Sequence, residues 1–184
     1  IERSVERGAF ITNYVGHGGE LGWAAERILD IPTIQSWSNG AKLPVFMTAT
    51  CEFSRFDDPL RTSAGEYALL NGNGGAVALL TTTRLVYSGP NEVLNTKFYD
   101  ALFNRPANEK IIRIGDLNRE AKNATAASSG ASNHRNFSLI GDPALPLAIP
   151  ELHVEVISIT DTIGNPIDTL KALGVVRVKG NVTD

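Results

Sequence analysis

An open α/β fold, with a parallel β-sheet flanked by helices and followed by a short β-rich appendage, is what this 184-residue sequence predicts. Three observations carry the expectation. Apolar runs alternate with helical patterns over the first 150 residues, two of those runs are apolar almost throughout, and strict apolar/polar alternation begins only after a proline-rich stretch.

The elements follow in order along the chain. A helix-like fragment, IERSVER, leads into a first strand at residues 9–15 (AFITNYV), and a second strand is expected at 44–50 (PVFMTAT). Ser63 and Glu66 stand at capping-box spacing ahead of YALLNG, so a helix starts there and Gly72 offers a stop. A third strand is expected at 75–81 (GAVALLT). It resembles the second in being apolar on both faces, as strands covered by helices on both sides are. Pro90 suits a first helical position, with Leu94, Phe98 and Leu102 recurring every four residues on one face. Ile114, Leu117 and Ala121 stripe a further helix from Glu109 to about Ala127, and a fourth strand is expected at 136–140 (NFSLI). In GDPALPLAIP, Pro143, Pro146 and Pro150 cannot continue a helix or a central strand, so this stretch reads as a linker. Beyond it Leu152, Val154 and Val156 alternate with polar residues, and GVVRVKG follows a turn at Gly164–Pro166. The organisation expected is therefore residues 1–150 as one α/β unit, N-terminally incomplete because Ile1 opens abruptly on the first helix, and 151–184 as the beginning of a β-sandwich.

Composition excludes several classes. With 17 Lys and Arg scattered against 20 Asp and Glu, no basic stripe exists for nucleic acid. No apolar run reaches the length that crosses a bilayer. Cys51 is the single cysteine, so neither an intrachain disulfide nor a four-thiolate zinc site is available, and neither a metal nor a cofactor is expected. Gly72-Asn73-Gly74-Gly75 precedes a strand, whereas a phosphate cradle follows one, so it reads as a turn.

Two loops stand directly after predicted core strands: Gly16-His17-Gly18-Gly19-Glu20 and Ala49-Thr50-Cys51-Glu52. Ligands collect at the carboxyl ends of strands in open parallel sheets, so His17 and Cys51 are candidates to face one crevice. A thiol needs a neighbouring imidazole to become the thiolate that attacks a carbonyl carbon, and that imidazole can then protonate the leaving amine. Backbone N–H groups near Gly18 and Cys51 are candidate oxyanion donors, and the glycines let a substrate backbone approach. Trp23, Glu26 and Arg27 follow the histidine loop, while Glu52, Arg55, Asp57 and Asp58 follow the cysteine. Trp23 and Glu52 are the substrate-binding candidates. Glu20 has no assigned role, and His134 and His153 are expected to serve packing or surface.

NYVGHGGELGWAAERIL, TATCEFSRFDDP and NFSLIGDPALPL resemble the gingipain family of cysteine peptidases in the caspase-like clan, over about residues 9–150. Within that family they are most similar to the sortases of the type IX secretion system of Bacteroidetes. The resemblance implies a caspase-like α/β domain followed by an immunoglobulin-like module, with His17 as general base, Cys51 as nucleophile, and Gly18 and the Cys51 amide as oxyanion donors. It further implies carboxy-terminal sorting domains of secreted proteins as substrates, other secretion components as partners, and an exported location at the outer membrane. The acid that orients the histidine is implied to lie before it. One departure is local: the clan often places Ala directly before the nucleophile, where this chain has Thr50. The competing expectation is a catalytically silent caspase-like component that binds sorting signals without cutting them.

Overall fold

The computed structural model describes residues 1–104, 112–129, 132–149 and 152–183, which divide into two compact units between Leu147 and Ala148. The first unit opens with α1 (Glu2–Arg7), closed by Gly8 in the left-handed conformation, and β1 (Ile11–Val15). A small meander follows, β2 (Gly18–Gly19), β3 (Gly22–Trp23) and β4 (Leu29–Asp30), leading into α2 (Ile31–Ser36). Neither the meander nor α2 was expected from periodicity. The helix signal was nonetheless local: Asp30 caps it by accepting the Thr33 N–H at 3.0 Å, and Pro32 occupies the first turn, where no N–H is needed.

The chain continues through β5 (Val45–Ala49), α3 (Ala64–Leu70), β6 (Ala78–Thr82), α4 (Ser88–Phe103), α5 (Ile114–Ser129), a 3₁₀ turn (Ser132–Asn136) and β7 (Phe137–Ile140). At the start of α3 the Glu66 carboxylate accepts from both the N–H and the hydroxyl of Ser63 at 2.7 Å. Helix α4 begins at Ser88, so Pro90 is its third residue and not its first. Its missing N–H still costs nothing, because the opening residues of a helix have no intrahelical acceptor. The start expected for the next helix at Glu109, and the boundary expected between residues 150 and 151, lie outside the described residues. No helix among the described residues is long and apolar enough to cross a membrane.

The main sheet runs β1-β5-β6-β7. β1, β5 and β6 are parallel neighbours, but β7 pairs antiparallel with β6, Leu79 opposite Ile140 and Thr82 opposite Phe137. The fourth strand thus departs from the all-parallel expectation. Two helices packed on each other, α4 and α5, stand between β6 and β7, where a single crossover helix would join parallel neighbours. Alternation along β5 and β6 splits the core in two. Phe46 and Leu79 face a cluster with Trp23, Ile34, Trp37, Phe53 and Ala68, while α4 packs on α5 and against β5 through Leu94, Phe98 and Leu102.

The second unit holds β8 (His153–Thr160) and β9 (Arg177–Thr183), an antiparallel pair with a bulge at Val156/Ser158. Asp161 nucleates the turn between them by accepting the N–H groups of Ile163 and Asn165. Val154, Val156, Val178 and Val182 remain exposed on this ribbon.

Candidate active site

The end of the parallel sheet determines where the two loops emerge. Val15 of β1 is registered with Ala49 of β5, and the Gly16 N–H continues the ladder to the Ala49 carbonyl at 3.3 Å. His17 and Cys51 therefore each stand two residues past the last registered pair of adjacent parallel strands. The His17 carbonyl is held by the Tyr14 hydroxyl at 2.7 Å and the Ala24 N–H at 2.8 Å, so its backbone is fixed while the residue is exposed.

After Cys51 the chain turns sharply. Glu52 adopts φ +49°, a left-handed conformation that costs energy for a residue with a Cβ. The turn is anchored on the β6 side: Glu52 N–H donates to the Arg84 carbonyl and Ser54 N–H to that of Thr82, while the Thr82 hydroxyl donates to the Thr50 carbonyl. The Cys51 sulfur, half-buried, lies 3.6 Å from the carbonyl oxygen of Val86. Thr50, where the clan often has Ala, is fully buried with an unpartnered hydroxyl. It closes on the histidine loop, since a Cβ added to Gly18 would stand 2.5 Å from the Thr50 Oγ1 and 2.9 Å from the Gly22 carbonyl. Glycine at 18 is required by that approach.

Segment 83–87, which carries Val86, is pinned from its far side by asparagines. Asn133 accepts the Tyr87 N–H and donates to Asn91, and Asn91 in turn donates to the Ala49 carbonyl at the end of the cysteine strand. Asn136 donates to the Leu85 carbonyl. Sequence reasoning gave Asn91, Asn133 and Asn136 no place at the site, because nothing in the spacing of three asparagines shows that they meet.

On the histidine side a cavity of about 670 Å³ is lined by residues of 17–32 together with Glu52 and Arg61. Arg27 lines it, and Glu52 lines it from the cysteine loop. Trp23 does not: it is 1% exposed, stacked on Tyr14 at 4.4 Å and packed against Phe46 and Phe53. The substrate-binding expectation for Trp23 is thereby corrected. As the second residue of β3 its side chain turns into the core, where burial of an indole is worth several kcal/mol.

Glu20 is not turned to the histidine either. Its carboxylate accepts from Arg55 at 3.0 Å and Arg61 at 3.2 Å, and Arg55 also lies 3.6 Å from Glu52. Glu20 thus ties the histidine loop to the cysteine loop across the cavity rim. Asp57 is taken by Arg84, whose guanidinium holds its carboxyl below the ordinary range, and Asp58 closes a turn by accepting the Leu60 N–H. The charges after Cys51 are mutually engaged.

Comparison with known proteins locates this architecture. The model of peptidase family C25 matches residues 1–148. Among solved structures, the Arg-specific cysteine proteinase gingipain R is similar at 19% identity and a TM-score of 0.70, over 85% of this chain and 38% of that one. The complex of Porphyromonas gingivalis RgpB pro- and mature domains matches at 15% identity and a TM-score of 0.70, over 99% and 49%. A structure described as a protease matches at 16% and 0.67, over 96% and 49%. The chain spans between 38% and 49% of the lengths of these neighbours, and the likeness is one of fold. No curated protein matches.

Proposed function

Because the chain belongs to peptidase family C25, we propose that it carries the catalytic dyad of a gingipain-like cysteine peptidase, with Cys51 as nucleophile and His17 as general base. The supporting observation is the register of β1 on β5, since Val15 opposite Ala49 puts both residues two positions past one sheet edge. In this reading His17 takes the thiol proton and the sulfur bonds to the carbonyl carbon of a peptide, while the carbonyl π pair moves onto oxygen near the amides of Gly18 and Cys51. Collapse of the oxyanion breaks the C–N bond, and the imidazolium returns its proton to the departing amine. The remaining thioester is opened by water, or by an amine, which restores the thiol.

The quoted blocks resemble the type IX secretion sortase PorU, and we extend the proposal accordingly. The substrates are carboxy-terminal sorting domains of exported proteins, the partners are other secretion components, and the site of action is the cell surface. Residues 151–184 then begin an immunoglobulin-like sandwich, a reading supported by the exposed valines of the β8–β9 ribbon, since two strands rarely stand alone. Glu52, on the cavity wall beside Cys51, is the substrate-contacting candidate that remains.

Cys51→Ala in the full-length protein tests the reading. The expected result is loss of labelling by a peptidyl chloromethyl ketone, with uncleaved secretion substrates accumulating. Normal processing would remove Cys51 from the chemistry and leave the silent binding component as the better account.

A further inference from the structure

The two flanks of the Cys51–His17 junction differ. On one, the Cys51 sulfur faces the Val86 carbonyl of the pinned segment 83–87. On the other, His17 lines the 670 Å³ cavity, and Cys51 is not part of its wall. Chemistry assigns these flanks different halves of a substrate. The acyl carbon must bond to sulfur, whereas the nitrogen that leaves must face the imidazole that protonates it. A chain lying across the junction therefore runs past His17 into the cavity with its residues after the scissile bond.

From this we propose that the cavity is the subsite for the leaving-group segment, and that it selects an apolar side chain in the first residues after the scissile bond. The proposal rests on the dyad reading above. Its lining offers apolar surface, Leu21 at 63% exposure together with Ala25, Ile31 and Pro32. The charges of the lining already have partners: Glu20 in Arg55 and Arg61, Glu52 in Arg55, and Asp30 in the Thr33 N–H and the nearby charge of Arg27, so a substrate charge gains little there. An exposed Leu side chain on a concave surface lowers its free energy when a ligand covers it.

Microscopic reversibility extends the assignment. After the first product departs, Cys51 holds a thioester and His17 is neutral. An amine that resolves it must surrender a proton to His17 while its nitrogen bonds to the acyl carbon and the C–S pair returns to sulfur. That amine occupies the position the leaving amine vacated. The same cavity is then the entry for an amine acceptor, with water using the site when none is bound.

The test uses the full-length protein and two variants outside the dyad, Ala25→Trp to fill the cavity and Leu21→Asp to charge its wall. Screening tripeptide methyl esters with the unsubstituted protein supplies the acyl part. That acyl part is then compared as its methyl ester, whose methanol is too small to reach the cavity, and as its extension by Leu-Ala-amide. Each variant is expected to lower kcat/KM for the extended peptide about 10-fold or more while leaving the ester within about twofold. The ratio of aminolysis to hydrolysis with added leucinamide should fall in parallel. Equal effects on both substrates, or none on either, overturn the assignment. If the unsubstituted protein turns over neither substrate and the chloromethyl ketone leaves Cys51 unlabelled, the peptidase reading itself fails.

Discussion

Replacing Trp23 by alanine separates a core role from a substrate role at the position where sequence and structure differ most. The indole is 1% exposed, stacks on Tyr14 with planes 7° apart, and has Phe46 and Phe53 centroids at 5.8 and 5.6 Å. Truncating a buried Trp to Ala costs ~3–5 kcal/mol in transfer and cavity terms. Tyr14, Phe46 and Phe53 would all be left without the ring they pack on, so the upper half of that range applies, and about 4 kcal/mol is nearly a thousandfold in the folding equilibrium. Trp23→Phe keeps a ring in the same place and surrenders no hydrogen bond, because the indole N–H has no partner. Its cost should stay near ~1.5 kcal/mol or less. Urea unfolding of the full-length protein, followed by circular dichroism at unchanged slope, measures both values. If Trp23→Ala shifts stability by less than ~0.5 kcal/mol, within the usual range for surface sites, while kcat/KM collapses, the indole is a substrate contact and the core argument is wrong.

Three further outcomes rest on specific neighbours. Gly65→Ala puts a Cβ 1.7 Å from the buried, unpartnered Ser54 hydroxyl and should cost ~1–3 kcal/mol; adding Ser54→Gly should recover most of it in a double-mutant cycle. Asn133→Ala deprives the Tyr87 N–H and Asn91 of their buried partner, so ~1–3 kcal/mol of stability and a lower kcat are expected in thermal melts and peptide hydrolysis. Asp57 is depressed below its ordinary value near 3.8, first by the hydrogen bond from Arg84 and then by that residue's charge. A depressed carboxyl stabilises the fold above its unfolded value and stops doing so as pH falls through the lower folded one. Protection of segment 83–87 against hydrogen exchange, taken relative to the intrinsic rate at each pH, should therefore fall in that acid window, and Asp57→Asn should abolish the step.

Much of the fold was legible because it is written in local periodicity. The central strands β5 and β6, apolar on both faces, could only be sheet covered by helices, and the stripes Leu94–Phe98–Leu102 and Ile114–Leu117–Ala121 are buried as their spacing required. The β2–β4 meander was not legible, since strands of two residues carry no period. The direction of β7 was not legible either, because alternation reports faces and says nothing of which way a strand runs.

At the site, residue type marked His17 and Cys51, for an imidazole and a thiol after two core strands are few in this chain and chemically suggestive. What the neighbouring polar residues do was decided by tertiary structure alone. Trp23 became core because its strand turns it inward, Glu20 became a clasp because Arg55 and Arg61 return to it from 35 and 41 residues away, and three asparagines became a pin behind Val86. The amino-acid sequence by itself determined the central strands and the striped helices, and it marked His17 and Cys51 as candidates. Only the folded chain decided which polar groups satisfy one another and which line the cavity, because hydrogen bonds and ion pairs depend on distances of a few ångströms that sequence separation does not encode.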